Sequence, residues 1–235
     1  MAGKLILFPV PIGADDPDIS LPSYNREMLN TCRTFIVEDV RTARRNLKRM
    51  GFAAAIDDVT FFELNEHTDP TTIGNYLDAI KQDENVGLMS EAGLPCVADP
   101  GNLVTAMAQR KGIEIIPLVG PSSIMLSLMA SGFNGQNFAF LGYPPIEEAK
   151  RVSFFKNIET RIYKERQTQI FIEAPYRNDK LLAFLASHLQ PSTLICVACD
   201  ITLPTQYIKT LPARQWLKRP PSLHKRPCIF LLYHE

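Results

Sequence analysis

The chain has 235 residues, enough for one large domain or two ordinary ones, and its 46% hydrophobic and 21% charged content is that of a soluble globular protein. No apolar run approaches the roughly 18 residues that span a bilayer, which excludes an integral membrane protein of the helical kind. The 25 basic and 25 acidic residues cancel, so no global field draws the chain to nucleic acid.

In chain order, "KLILFPV" predicts a first core strand. Its short apolar run, broken by Pro9 and Pro11 and followed by no small-residue cleavage site, does not fit a signal peptide. "NREMLNTC" predicts a helix, "TFIVED" a second strand, "RTARRNLKRMG" a helix closed by Gly51, and "VTFFEL" a third strand. "TTIGNYLDAIKQ" predicts a helix, "NVGLMS" a fourth strand, "NLVTAMAQRKG" a helix capped by Gly112, and "IEIIPLV" a fifth strand. This alternation implies a mostly parallel sheet with helices on its faces, and such sheets bind ligands beyond the carboxyl ends of their strands. In "VGPSSIMLSLMASG", Gly120 and Pro121 suit the N-cap and first position of a helix that Gly132 ends. Strands then dominate: "FAFLGYPP", a charged helix near 147–166, "QTQIFIEAP", the helix "NDKLLAFLASHL", "TLICVACDIT", "TQYIKTLPARQWL" and "PCIFLLYH". Shorter turns here predict more antiparallel pairing in a second α/β domain. The expected division is 1–120 and 121–235.

The five cysteines are an odd, scattered set, which fits a reducing cytoplasm better than a disulfide framework. Cys196 and Cys199 lie in a β-rich run and are expected to be buried rather than redox-active or zinc-binding. Four histidines show no metal-ligand spacing, and no metal is expected. Dinucleotide, P-loop and nucleophile-elbow signatures are also missing. Charge is uneven: residues 1–120 hold 11 basic and 17 acidic side chains (11 − 17 = −6), and residues 121–235 hold 14 and 8 (14 − 8 = +6).

Several predicted strands end in small residues and prolines: "PVPIG", "SEAG", "VGPSS" and "EAP". Such loops let a ligand approach exposed backbone closely, and Glu91, Asp99 and Glu173 among them suit ribose hydroxyls or an amino group. The bland alternative is that Pro and Gly merely turn the chain. In "EDVRTARRNLKRM", Arg41, Arg44, Arg45 and Lys48 share one helix face with Arg49 beside it, while Leu47 and Met50 point inward. That face is either a phosphate-holding surface or a solvated one. Glu38 and Asp39 sit at the strand exit before it.

"PIG", "VEDVRTARRNLKRMGF", "NEH", "VGLMSEAGLPCVADPG", "IPLVGPSSIMLSLMASG", "FAFLGYPP" and "IFIEAPYR", in this order, resemble the tetrapyrrole-methylase superfamily of S-adenosylmethionine-dependent methyltransferases. Within it they are most similar to the branch that methylates a cytidine ribose 2′-oxygen of small-subunit ribosomal RNA. The resemblance runs from about residue 4 to 180. It implies an α/β enzyme of two domains, a mostly parallel one and a mixed one, with the donor in the cleft between. It also implies a homodimer in the cytoplasm. On this likeness Pro11, Ile12, Gly13, Ser90, Glu91, Ala92, Gly93, Ser122, Ser123, Glu173, Ala174 and Pro175 line the donor site. Glu38, Asp39 and Arg41 fall at the reacting end, with Glu38 or Asp39 as base and Arg41 as phosphate clamp. Arg44 and Arg45 of the same helix, with His67 and Arg177, lie on the acceptor side. The sequence departs from the pattern at Val40, where the family has Thr, at Glu91, where it has Asp, and in "EAPYR" for "ESPHR". "CDITLPTQYIKT" also differs from the family's corresponding segment. Donor motifs are kept better than acceptor motifs. A small-molecule or protein acceptor, and a donor-binding module without catalysis, therefore stay open as alternatives.

Overall fold

The computed structural model describes residues 3–13, 16–65, 67–69 and 71–234. Its contacts gather into two units, one ending at Ser122 and the other beginning at Ser123.

The first unit is built on strands β1 (Leu5–Phe8), β2 (Cys32–Val37), β3 (Thr60–Glu63), β4 (Asn85–Met89) and β5 (Ile115–Pro117). All are parallel, in the order β3-β2-β4-β1-β5. Because side chains alternate along a strand, the sheet feeds two cores. Phe8, Phe35, Val37 and Met89 pack on one side with Leu29 of α1 (Ser23–Leu29) and Leu47 of α2 (Val40–Arg49). Leu5, Ile36, Val86 and Leu88 pack on the other with Val104 and Ala108 of α3 (Asn102–Arg110). Burial on both faces is why the central strands read as unbroken apolar runs.

The segment expected to be a helix over 71–82 is instead two 3₁₀ turns, Thr72–Asn75 and Asp78–Gln82. Thr, Gly and Asn in succession are poor helix formers, and the turns suffice to bury Ile73, Leu77 and Ile80.

The second unit opens with α4 (Ser123–Ser131), so Gly120 and Pro121 lie outside the helix they were expected to start. The residue before a proline is biased toward extended backbone, and the helical geometry starts only at Ser123. Gly132, in the left-handed region at φ +79°, ends the helix as expected. Strands β6 (Phe138–Phe140), β7 (Thr168–Ile172), β8 (Leu194–Cys199), β9 (Tyr207–Pro212) and β10 (Cys228–Tyr233) form a sheet in the order β6-β7-β10-β8-β9. Only β6 and β7 pair in parallel; the other three pairings are antiparallel. Helices α5 (Glu148–Glu165), α6 (Asn178–His188) and α7 (Ala213–Trp216) cover a core centred on Phe155, Phe171, Leu185, Trp216 and Phe230. Phe171 and Phe230 are cross-strand partners with stacked rings 5.9 Å apart. The Trp216 indole donates to the Ile195 carbonyl at 3.1 Å, so the large ring is buried without an orphaned N–H. Cys196 and Cys199 are buried on β8, three residues apart and hence on opposite faces, which separates the two thiols. Among the described residues no helix is long and apolar enough to cross a membrane.

Candidate active site at the carboxyl edge of the first sheet

Parallel pairing puts the exits of β1, β2, β4 and β5 at one edge, and backbone bonds tie their loops together. After β1, the Val10 N–H donates to the Gly93 carbonyl at 2.9 Å, and the Gly93 N–H returns to Val10 at 3.1 Å. Gly93 sits at φ +77°, a conformation that suits a residue without Cβ. A Cβ on Gly120, after β5, would stand 2.1 Å from the Pro9 side chain, so only glycine lets these two loops close together. Buried Asn25 of α1 donates to the Val119 carbonyl at 2.8 Å and fixes the β5 loop from beneath.

The loop after β4 has an internal organiser. Both oxygens of Asp99 accept the Cys96 N–H at 2.9 Å, and Oδ1 also takes the Gly101 N–H at 2.7 Å. Cys96 and Ala98 both hold positive φ, +67° and +63°, strain that these bonds maintain. Asp99 thus shapes the loop. Its carboxyl is nevertheless pushed above the usual range, because burial outweighs the two amides. Ser90 is buried, and its hydroxyl turns back toward the Ala92 and Gly93 carbonyls at 3.4 Å each. Glu91 and Ala92 are exposed, and Pro11, Ile12 and Gly13 are half-exposed.

Glu38 leaves β2 toward this loop, where its Oε1 accepts the Glu91 N–H at 3.2 Å. Burial first, and the nearby charges of Asp99 and Glu91 next, push its carboxyl up, against the lowering effect of the Glu91 amide. Glu38 and Asp99 line a narrow crevice of about 10 Å³ with Val37, Met89 and Pro95. That is about the room one water molecule needs.

Asp39 has a different task. It is the N-cap of α2, its Oδ1 accepting the Thr42 N–H at 2.7 Å. Hydrogen bonds from Thr42 hold its carboxyl below the usual range. Arg41, Arg44, Arg45 and Lys48 are exposed along α2, while Ala43, Leu47 and Met50 are buried. The Arg44 guanidinium lies 5.7 Å over the Phe61 ring, so one of the basic side chains is already oriented. His67 follows edge strand β3 in an exposed turn, its backbone N–H held by the Asn65 side chain at 3.0 Å. Glu66 of that motif lies outside the described residues.

The remaining expected residues fall in or next to the second unit. Ser122 and Ser123 meet at the division of the chain, where the Ser123 carbonyl accepts the Ser127 hydroxyl. Glu173 is buried after β7, its Oε1 taken by the Ala174 N–H at 2.8 Å and by Arg177 Nε and Nη2 at 2.8 and 2.6 Å. Glu173 and Arg177, expected to contact donor and acceptor respectively, are therefore first of all partners of each other. Arg226 and Asp200 form a second such pair at 2.8 Å, which sequence reading missed. Its signal is faint, because the two residues are 26 positions apart and meet only through β8–β10 pairing.

No protein-family profile matches the chain. It is 27% identical over 234 residues to a Pseudomonas aeruginosa protein named Ribosomal RNA small subunit methyltransferase I, covering 98% of this chain and 79% of the relative. A protein of the same name from a Hydrogenobaculum species is 28% identical over 207 residues, covering 88% and 84%. Among solved structures, the methyltransferase CobJ aligns at a TM-score of 0.65 and 15% identity, over 99% of this chain and 100% of that one. Uroporphyrin-III-C-methyltransferase from Thermus thermophilus aligns at 0.54 and 14%, over 98% and 94%. At these identities the structural likeness establishes the fold.

Proposed function

We propose that the chain is a methyltransferase of the tetrapyrrole-methylase superfamily that methylates a ribose 2′-hydroxyl of small-subunit ribosomal RNA, the name its relatives carry being Ribosomal RNA small subunit methyltransferase I. The observation that carries the reading is similarity to proteins of that name over 98% of the chain. The motif loops at the carboxyl edge of the first sheet support it.

The methyl donor would be S-adenosylmethionine, which when bound supplies an electrophilic methyl group on sulfur. The loops fit such a ligand. Pro11–Gly13 and Ser90–Gly93 are small, joined by the Val10–Gly93 bridge, and closed by the Gly120–Pro9 contact that a Cβ would prevent. In this reading exposed Glu91 and Ala92 hold the donor's polar groups. Glu38 is the residue we assign to take the hydroxyl proton. Its carboxyl, raised by burial, is a stronger base than an ordinary glutamate, and it lines a crevice with Asp99 at the exit of β2. Asp39 is set aside for that role, because capping α2 occupies it and weakens it as a base. Arg41, with Arg44 and Arg45 along α2, holds phosphates of the RNA strand. His67 remains on the acceptor side of the proposal. The likeness further supports a cytoplasmic homodimer, which light scattering would register as twice the monomer mass.

The test is transfer of a labelled methyl group onto small ribosomal subunits from a strain lacking the cytidine modification. Label in an alkali-resistant dinucleotide is the expected result. Absence of label with donor binding intact would overturn the ribosomal acceptor and leave the methyltransferase.

A further inference from the structure

The carboxyl edge of the second sheet carries two exposed tyrosines that the reaction just described does not use. Strands β6 and β7 run in parallel, and their pairing continues past the strand ends, where the Ile172 N–H donates to the Gly142 carbonyl at 3.0 Å. Tyr143 and Tyr176 therefore follow from neighbouring strands at one edge. Both are open to solvent, 62% and 61% exposed, where a ring contributes little to any core.

Arg177 is held beside them. Its guanidinium lies 5.3 Å over the Tyr176 ring, with Nη1 3.4 Å from that hydroxyl, and Tyr143 is within its electrostatic reach. The Glu173 carboxylate grips Arg177 through Nε and Nη2, so the position of the cation is set before any ligand arrives. A basic turn is fastened to the same place. The Pro175 carbonyl accepts the Lys225 N–H at 3.0 Å, and Lys225 and His224 are exposed. Arg226, next in the chain, is anchored by Asp200 and by the Thr205 carbonyl at 2.7 Å, while the Thr205 hydroxyl donates to Asp200 at 2.8 Å.

Exposed rings beside a fixed guanidinium and a free-ended lysine are the components that bind single-stranded RNA. Unpaired bases stack on the rings, and the cations meet the phosphates. The charge agrees, since residues 121–235 carry the +6 surplus that suits a polyanion. We propose that Tyr143 and Tyr176, with Arg177 and Lys225, form a stacking site for an unpaired nucleobase of the RNA substrate. This rests on the ribosomal RNA reading above and adds to it which side chains hold the unpaired strand.

The probe is a single-stranded oligocytidylate carrying one 2-aminopurine, whose fluorescence is quenched on stacking. Tyr143→Ala and Tyr176→Ala are each expected to bind it about 10-fold more weakly and to lose quenching. Tyr143→Phe and Tyr176→Phe should stay within about 2-fold of the parent, since stacking needs the ring and not the hydroxyl. S-adenosylmethionine affinity should not move in any of the four. Alanine variants that bind and quench like the parent overturn the proposal, as does a parent protein that does not bind the probe. The ribosomal acceptor is judged separately by methyl transfer to small subunits. If transfer proceeds in the alanine variants with unchanged KM, the stacking site falls and the acceptor stands. If the parent transfers nothing but quenches through its rings, the stacking site stands and the acceptor falls.

Discussion

Glu38 and Asp39 are adjacent carboxylates at one strand exit, and their surroundings push them in opposite directions. Burial and two acidic neighbours raise Glu38, whereas the Thr42 bonds at the start of α2 lower Asp39. The raised group carries a stability cost with a definite sign. Between the ordinary glutamate value and the raised folded one, the unfolded chain releases its proton first, so stability falls as pH rises through that window. Glu38→Gln keeps an acceptor for the Glu91 N–H and removes the charge. It should lose methyl transfer at every pH yet melt at a higher temperature than the parent at neutral pH. Thermal scans should show that gain vanishing below about pH 4, where both states of the parent are protonated. A variant that kept full turnover at saturating substrates would remove Glu38 from the reaction. Asp39→Ala is expected to do the converse. Loss of the cap should lower Tm by about 2–4 °C, with turnover at permissive temperature falling far less than in Glu38→Gln.

At the scale of elements, α2 divides its labour by face. Ala43, Leu47 and Met50 hold it to the sheet, and Arg41, Arg44, Arg45 and Lys48 are left outside. The double variant Arg44→Ala, Arg45→Ala should therefore fold normally. Its plot of log affinity for RNA against log salt should be shallower by about 1–2, the change expected when two phosphate contacts go. An unchanged slope would make the face merely solvated. This helix was legible in the sequence, because its apolar spacing fits 3.6 residues and Gly51 closes it, although the capping role of Asp39 was not. The strand exits were legible too, since "PVPIG", "SEAG" and "VGPSS" put small residues and prolines directly after β-rich runs. The segment 71–82 was not, because its apolar spacing at Ile73, Leu77 and Ile80 serves two 3₁₀ turns as well as one helix. Nor was the locking of Glu173 by Arg177 or of Asp200 by Arg226. A carboxylate's partner is settled by which loops the sheet brings together, and local sequence carries no record of that.

For the molecule as a whole, each unit has a core of its own: two clusters on either side of the first sheet, and one around Phe155, Phe171 and Phe230 in the second unit. Residues 123–235 expressed alone should therefore retain β-sheet circular dichroism and a cooperative melt; a chain that stays unfolded would show that the unit depends on the rest of the protein. The first unit has a different constraint, which follows from its strand order. β1 pairs with neither β2 nor β3 but with β4 and β5, and the Lys4 N–H finds its side-chain acceptor, Asn85, 81 residues along the chain. During synthesis at about 5–20 residues per second, the first strand must wait several seconds for its partner to be made. Throughout that interval Leu5, Ile6, Phe8, Phe35 and Ile36 have no sheet to close over them. A nascent chain of this topology is exposed to aggregation before it is complete, so its yield in a cell should depend on chaperones and on translation speed upstream of residue 90 more than on the stability of the finished protein.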